Sequence, residues 1–189
     1  MNFFEAEKMK LTHLLFCILV FSIIIGCSQP KEQIENKKTN IMGNMKLTSS
    51  AFANNGAISS EFTCDGADIS PALVISDVPK NAKSLALIMD DPDAPIGTFV
   101  HWVVWNIPTD TKEIKKGDEP AGVQGTTGFK RSGYGGPCPP SGTHRYFFKL
   151  YALDILLDLP EGSNKNDLEK SMGSHIIEKT QLIGLYKRK

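Results

Sequence analysis

From Met45 onward, short runs of apolar, aromatic and β-branched residues alternate with clusters of turn-forming residues. Residues 85–89 are an unbroken apolar run, and residues 100–107 ("VHWVVWNI") and 145–153 ("RYFFKLYAL") are two longer ones. None has an interior proline, so all three qualify as central strands, and the first reads as a strand covered on both faces. Around them stand "NNG", "CDGADISP", "VPKNAK", "DPDAP", "NIPTDT", "KKGDEPAG" and "GYGGPCPPSG". Short strands separated by such turn signals are the pattern of an all-β sandwich or barrel. A helical period appears only late. Leu168, Met172, Ile176 and Lys179 recur at i, i+4, i+8 and i+11 behind Ser163 or Asn164 as N-cap. This predicts one amphipathic helix of about four turns, with "QLIGLY" as a short closing strand.

The N-terminal pattern is different. Lys8 and Lys10 precede "LLFCILVFSIII", residues 14–25, which is apolar except for Ser22. A membrane-spanning helix needs roughly 20 such residues, so the run is short for a permanent anchor and fits a signal-peptide core. It ends in Ile24-Ile25-Gly26-Cys27, which resembles the lipobox of bacterial lipoproteins, where the cysteine is diacylated and becomes the mature N-terminus. The reading is therefore an exported chain anchored to a cell-envelope membrane by lipid on Cys27. Residues 28–44 are polar and charged and read as a solvated tether spanning roughly 20–25 Å. Residues 45–189 remain as one domain, long enough for a single core.

Charge narrows the partners. The chain has 21 basic and 21 acidic residues, and a neutral balance argues against nucleic acid, whose phosphates call for a concentrated basic field. Cys17 lies in the signal core and Cys27 is the lipid site, leaving Cys64 and Cys138 in the domain. In an oxidising compartment these two can pair or remain thiols. No Cys-x-x-Cys spacing supports a zinc-ribbon or redox motif.

Candidate chemistry gathers in two motifs. In "DDPDAPIGTFVHWVVWNIP", strict alternation places His101, Val103, Trp105 and Ile107 on one strand face and Val100, Trp102, Val104 and Asn106 on the other. Pro92 and Pro95 bias the residues before them toward extended backbone, which pre-organises Asp91 and Asp93. In "GYGGPCPPSGTHRYFFKLYALD" a Gly/Pro loop enters a strand at His144, with Tyr146 and Phe148 on the same face. By itself His101 reads as a core group bonded to a carbonyl, and "DPDAP" as a solvated turn. Two histidines at strand starts, each behind a loop, point instead to a shared pocket. Imidazoles, the Tyr146 hydroxyl and backbone N–H groups of the glycine loop would suit an anion of phosphate or carboxylate size.

These two motifs, with "FTCDGADISPAL" at 62–73 and "GSHIIEKTQLIGLY" near the end, closely resemble the signature regions of the phosphatidylethanolamine-binding proteins, in particular the bacterial and archaeal branch called Raf kinase inhibitor-like. The resemblance implies a mainly β fold, a Greek-key antiparallel sandwich with a C-terminal helix. It also implies a pocket for phosphate, acetate or a phosphorylated headgroup such as phosphoethanolamine. It assigns to that pocket Asp91, Asp93, His101, Cys138, Pro139, Pro140, His144 and Tyr146, with Cys64 and Cys138 as a disulfide or a thiol at the rim. The expectation is a membrane-anchored binding module without cofactor, regulatory or inhibitory in role, whose protein partner the sequence leaves unnamed. The alternative is a hydrolase using the same pocket, through Cys138 and His144 or through a metal held by His101, His144, Asp91 and Asp93. No Gly-x-Ser-x-Gly elbow accompanies it.

Overall fold

The computed structural model describes residues 43–189. The signal-peptide core, Cys27 and the tether as far as residue 42 lie outside the described residues. Every residue of strand β4 (Ser84–Asp91) is buried, as its uninterrupted apolar run requires. It pairs antiparallel with β5 (Phe99–Ile107) on one side and β8 (His144–Leu153) on the other. Strand β9 (Ile176–Tyr186) pairs with β8 along its length, and the two-residue strands β2 (Gly56–Ala57) and β7 (Val123–Gln124) close the edges. The six-stranded order is β2-β9-β8-β4-β5-β7, with only the β2–β9 pair parallel. A second sheet contains β1 (Lys46–Thr48), β3 (Leu73–Ser76) and β6 (Glu113–Ile114), in the order β1-β3-β6.

Both faces of the large sheet are covered, so it has two cores. Leu85, Leu87, Met89, Trp102, Val104, Phe148 and Leu150 meet Leu47, Leu73, Ile75 and Ile114 of the small sheet. On the opposite face Ala86, Ile88, Val103 and Trp105 meet Leu168 and Met172 of helix α1 (Lys165–Met172). Burial of those two helical side chains contributes roughly 1.5–3 kcal/mol each. The mainly β sandwich with one helix near the C-terminus is thus the expected fold.

Two expectations are corrected. The helix is two turns long and not four. It is capped by Asn164, whose side chain accepts from the Asn166 and Asp167 N–H groups, and it stops at Gly173, where φ is +30°. Beyond that glycine the β-branched run "II" pairs with β8, so Ile176 and Lys179 are strand residues. Sheet hydrogen bonding and burial outweigh the helical spacing there.

The face assignment on β5 also changes. Its pairing with β4 shifts register between Met89 and Asp90 and again between Leu85 and Leu87. Each bulge adds one residue to β5 and places two neighbours on one side. The first moves His101 to the side of Trp102, where its ring meets Tyr146 at 5.2 Å. The second centres on Asn106, at φ +56°, and returns Ile107 to the inter-sheet core. The Asn106 amide is held by the backbone of Leu157, donating at 2.9 Å and accepting at 2.8 Å.

On the helix face, the fully buried Asp90 carboxylate holds Lys149 of β8 at 2.8 Å and Lys165 of α1 at 2.6 Å. Asp90→Asn would leave two ammonium groups facing each other without their counter-charge. Such a change is expected to lower unfolding free energy by about 3–5 kcal/mol in urea titration. A loss below about 1 kcal/mol would show that the triad does not hold the helix to the sheet.

Candidate functional site

At the end of β4 the alternation that sends Asp90 toward the helix sends Asp91 to the inter-sheet side. Asp91 accepts from the Asp93 N–H at 2.8 Å and from His144 Nδ1 at 2.7 Å. Both partners of the second contact are buried. His101 lies across from them, its Nδ1 at 2.7 Å from the Gly135 carbonyl. The Gly135 N–H in turn donates to the His101 carbonyl at 3.0 Å, so the bulged residue is tied to the glycine loop through ring and backbone. Phe99, Phe129 and Tyr146 pack edge-on against the imidazole at 5.1, 5.5 and 5.2 Å. A side chain at Gly135 would run into the Phe129 ring, so glycine is what lets the loop close over this cluster.

Asp91, His101, His144 and the three aromatic rings line a cavity of about 160 Å³, together with Ala94, Pro95, Ile96, Cys138, Pro139 and Pro140. At roughly 30 Å³ per water molecule this is room for about five waters, the scale of a tetrahedral oxyanion and well below a drug-sized ligand. Tyr146 is fully buried, and its hydroxyl makes no hydrogen bond of normal geometry among the described residues, while the Asp91 carboxylate and the Cys138 backbone N–H lie close to it. Burial first, and the nearby Asp91 charge second, push the Tyr146 phenol far above its ordinary pKa, so it keeps its proton. Burial likewise lowers the His101 pKa, partly opposed by the Gly135 carbonyl and Asp91.

Seven of the eight residues proposed from sequence line this cavity: Asp91, His101, Cys138, Pro139, Pro140, His144 and Tyr146. Asp93 does not. Its carboxylate binds the Arg145 guanidinium at 2.6 and 2.8 Å and the Arg145 N–H at 3.0 Å, and this pairing lowers its pKa to about 2. The glycine loop is not an anion nest either. The Gly135 N–H is engaged by His101, and the Gly136 N–H donates to Asp68 at 2.7 Å. Cys138 is disulfide-bonded to Cys64, so the cavity wall at 138–140 is pinned to the loop at residue 64. Three hydrogen bonds reinforce that junction: Cys64 N–H to the Pro137 carbonyl, Gly136 N–H to Asp68, and the Tyr134 hydroxyl to the Phe62 carbonyl.

Phe99 and Phe129 were not singled out from sequence. Phe99 stands two residues before His101 on the same strand, so its position carried a signal. Phe129 sits in an aperiodic loop, "TGFKRSG", which carried none. A larger open groove of about 780 Å³ runs past Ser60, Asp65, Thr143, Tyr186 and Lys187. Its carboxylate is already engaged by the Tyr186 hydroxyl at 2.7 Å and by Arg188, so the smaller cavity is the better candidate.

The fold and the cavity define a β-sandwich with a small cavity at its strand ends. Residues 48–187 match the family model described as phosphatidylethanolamine-binding protein, and the chain belongs to that family. It is 50% identical over 150 residues to the UPF0098 protein of Methanothermobacter thermautotrophicus, an alignment covering 76% of this chain and 99% of that protein. Among solved structures it is similar to a phosphatidylethanolamine-binding protein homologue from Chlamydia trachomatis, with TM-score 0.75 and 41% identity over 77% of this chain and 98% of that one. It is also similar to Escherichia coli YbcL, a member of the mammalian PEBP family, with TM-score 0.72 and 28% identity over 78% and 100% of the two chains.

Proposed function

We propose that this chain is a membrane-tethered binding module whose pocket holds a small anionic or phosphorylated group. The observation that carries the reading is the buried Tyr146 hydroxyl, which makes no hydrogen bond of normal geometry among the described residues and borders a cavity that also presents His101 and His144. A buried polar group left unpaired costs about 1–3 kcal/mol, which a ligand oxygen would recover. Both imidazoles are fixed in orientation through Nδ1, so the site is pre-organised and loses little freedom on binding. Much of the remaining lining, Pro95, Phe99, Phe129, Pro139 and Pro140, is apolar and strengthens each polar contact by excluding water. The family name supports a phosphorylated headgroup as occupant. A regulatory or inhibitory role rests on family likeness alone.

The hydrolase alternative is weaker in this geometry. The Cys138 sulfur that would attack is bonded to Cys64, and a disulfide sulfur is not a nucleophile. Among the described residues no group of three or more His, Cys, Asp or Glu side chains gathers to hold a metal.

Membrane attachment through Cys27 is tested by metabolic labelling with a radioactive fatty acid, which the parent is expected to incorporate and Cys27→Ser is not. Equal labelling of the two would contradict the anchor. Isothermal titration of the detergent-solubilised mature chain with phosphate and phosphoethanolamine is expected to give saturable binding, weakened at least tenfold by His144→Ala with near-ultraviolet circular dichroism preserved. A tenfold loss corresponds to about 1.4 kcal/mol, the scale of one charge-assisted hydrogen bond. Equal binding by parent and variant would remove the pocket as the site.

A further inference from the structure

We infer that the ligand enters this pocket carrying a proton, which it donates to the ring nitrogen Nε2 of His101. The site would then accept weak-acid oxyanions, such as a protonated phosphate or phosphate monoester, and disfavour sulfate. This rests on the pocket reading above and adds which anions the pocket takes.

The argument starts from charge. No lysine or arginine lines the cavity among the described residues. Of the cations on this side of the sheet, Arg145 is engaged by Asp93, and Arg131, over the Phe129 ring, by the Tyr134 carbonyl and Asp68. The permanent charge on the wall is the Asp91 carboxylate. Its pair with His144 carries no net positive charge even when that ring is cationic. A fully deprotonated anion entering this enclosure would meet a buried like charge without a fixed counter-charge.

The hydrogen-bond inventory points the same way. The Gly135 carbonyl can only accept, so His101 Nδ1 must carry its hydrogen in the 2.7 Å contact. In a neutral imidazole Nε2 is then a lone pair, an acceptor. The charged and titratable groups around the ring are Asp91 and, behind it, Asp90 from β4, and Tyr146 and His144 from β8. The loop contributes the Gly135 and Gly136 backbones, and Phe99 and Phe129 contribute uncharged rings. Burial favours the neutral ring in this setting. Among backbone donors, Pro139 and Pro140 have no N–H and those of Gly135 and Gly136 are engaged, which leaves the Cys138 N–H beside the Tyr146 hydroxyl. Sulfate, an acceptor at every oxygen, would leave Nε2 facing an oxygen lone pair. A ligand P–O–H group converts that contact into a hydrogen bond. Sites that require a ligand hydrogen can reject an analogue lacking it by large factors.

Three probes separate the ligand's proton from titration of the protein. Inorganic phosphate keeps a proton at about pH 8, methyl phosphate loses its last one near the monoester pKa of about 6, and sulfate carries none at either pH. Titration of the mature chain with each at about pH 5.5 and about pH 8 should show phosphate binding at least tenfold tighter than sulfate at both. Methyl phosphate should behave like phosphate at the lower pH and like sulfate at the higher. In His101→Gln, whose amide N–H can donate to sulfate, the gap should narrow. Sulfate binding as tightly as phosphate at about pH 8, or all three changing in parallel with pH, would overturn the inference while leaving an anion pocket in place. Failure of all three to bind would instead overturn the pocket reading, and this inference with it.

Discussion

Two adjacent buried carboxylates end the central strand, and because strand side chains alternate, they cannot share a partner. Asp90 points to the helix face, where Lys149 and Lys165 neutralise it, and Asp91 points between the sheets, where His144 meets it. The first contact fastens α1 to the sheet. The second fixes the imidazole at the mouth of the sandwich. Burying either charge alone would cost several kcal/mol, so the positions of β8 and α1 follow from the demand that both be paired.

The cavity is a consequence of that demand combined with the bulge at His101. An unbulged β5 would direct His101 to the helix face, away from Tyr146. The extra residue brings its ring beside Tyr146, and the Gly135 backbone then holds it by two reciprocal contacts. The disulfide from Cys138 to Cys64 closes the far wall. Constraining a loop that spans 74 positions in sequence contributes roughly 4–5 kcal/mol in the chain-entropy model. The pocket is thus framed by strands, a covalent tie and paired charges.

Much of this was legible in the residues. The unbroken apolar run of β4, the turn signals and the two histidines behind Gly/Pro loops led to the central strands and to Asp91, His101, His144 and Tyr146, while Cys138, Pro139 and Pro140 came from the family resemblance. What escaped was set by pairing across strands. A bulge leaves no mark in a single strand's alternation, so the side of His101 followed from its register with β4 alone. The helix was overextended because Ile176 fits a 3.6-residue period as well as a strand, and only pairing with β8 decides between them. Asp93 looked like Asp91 in "DPDAP", yet Arg145, which the sequence places immediately after His144, claims its carboxylate.

The most direct test is a crystal structure of the chain grown in phosphate. The account predicts one tetrahedral anion within hydrogen-bond distance of the Tyr146 hydroxyl and of the free ring nitrogens of His101 and His144, with the Asp91–His144 contact retained. Phosphate seated only in the groove beside Asp65 and Lys187, away from the Tyr146 hydroxyl, would contradict it.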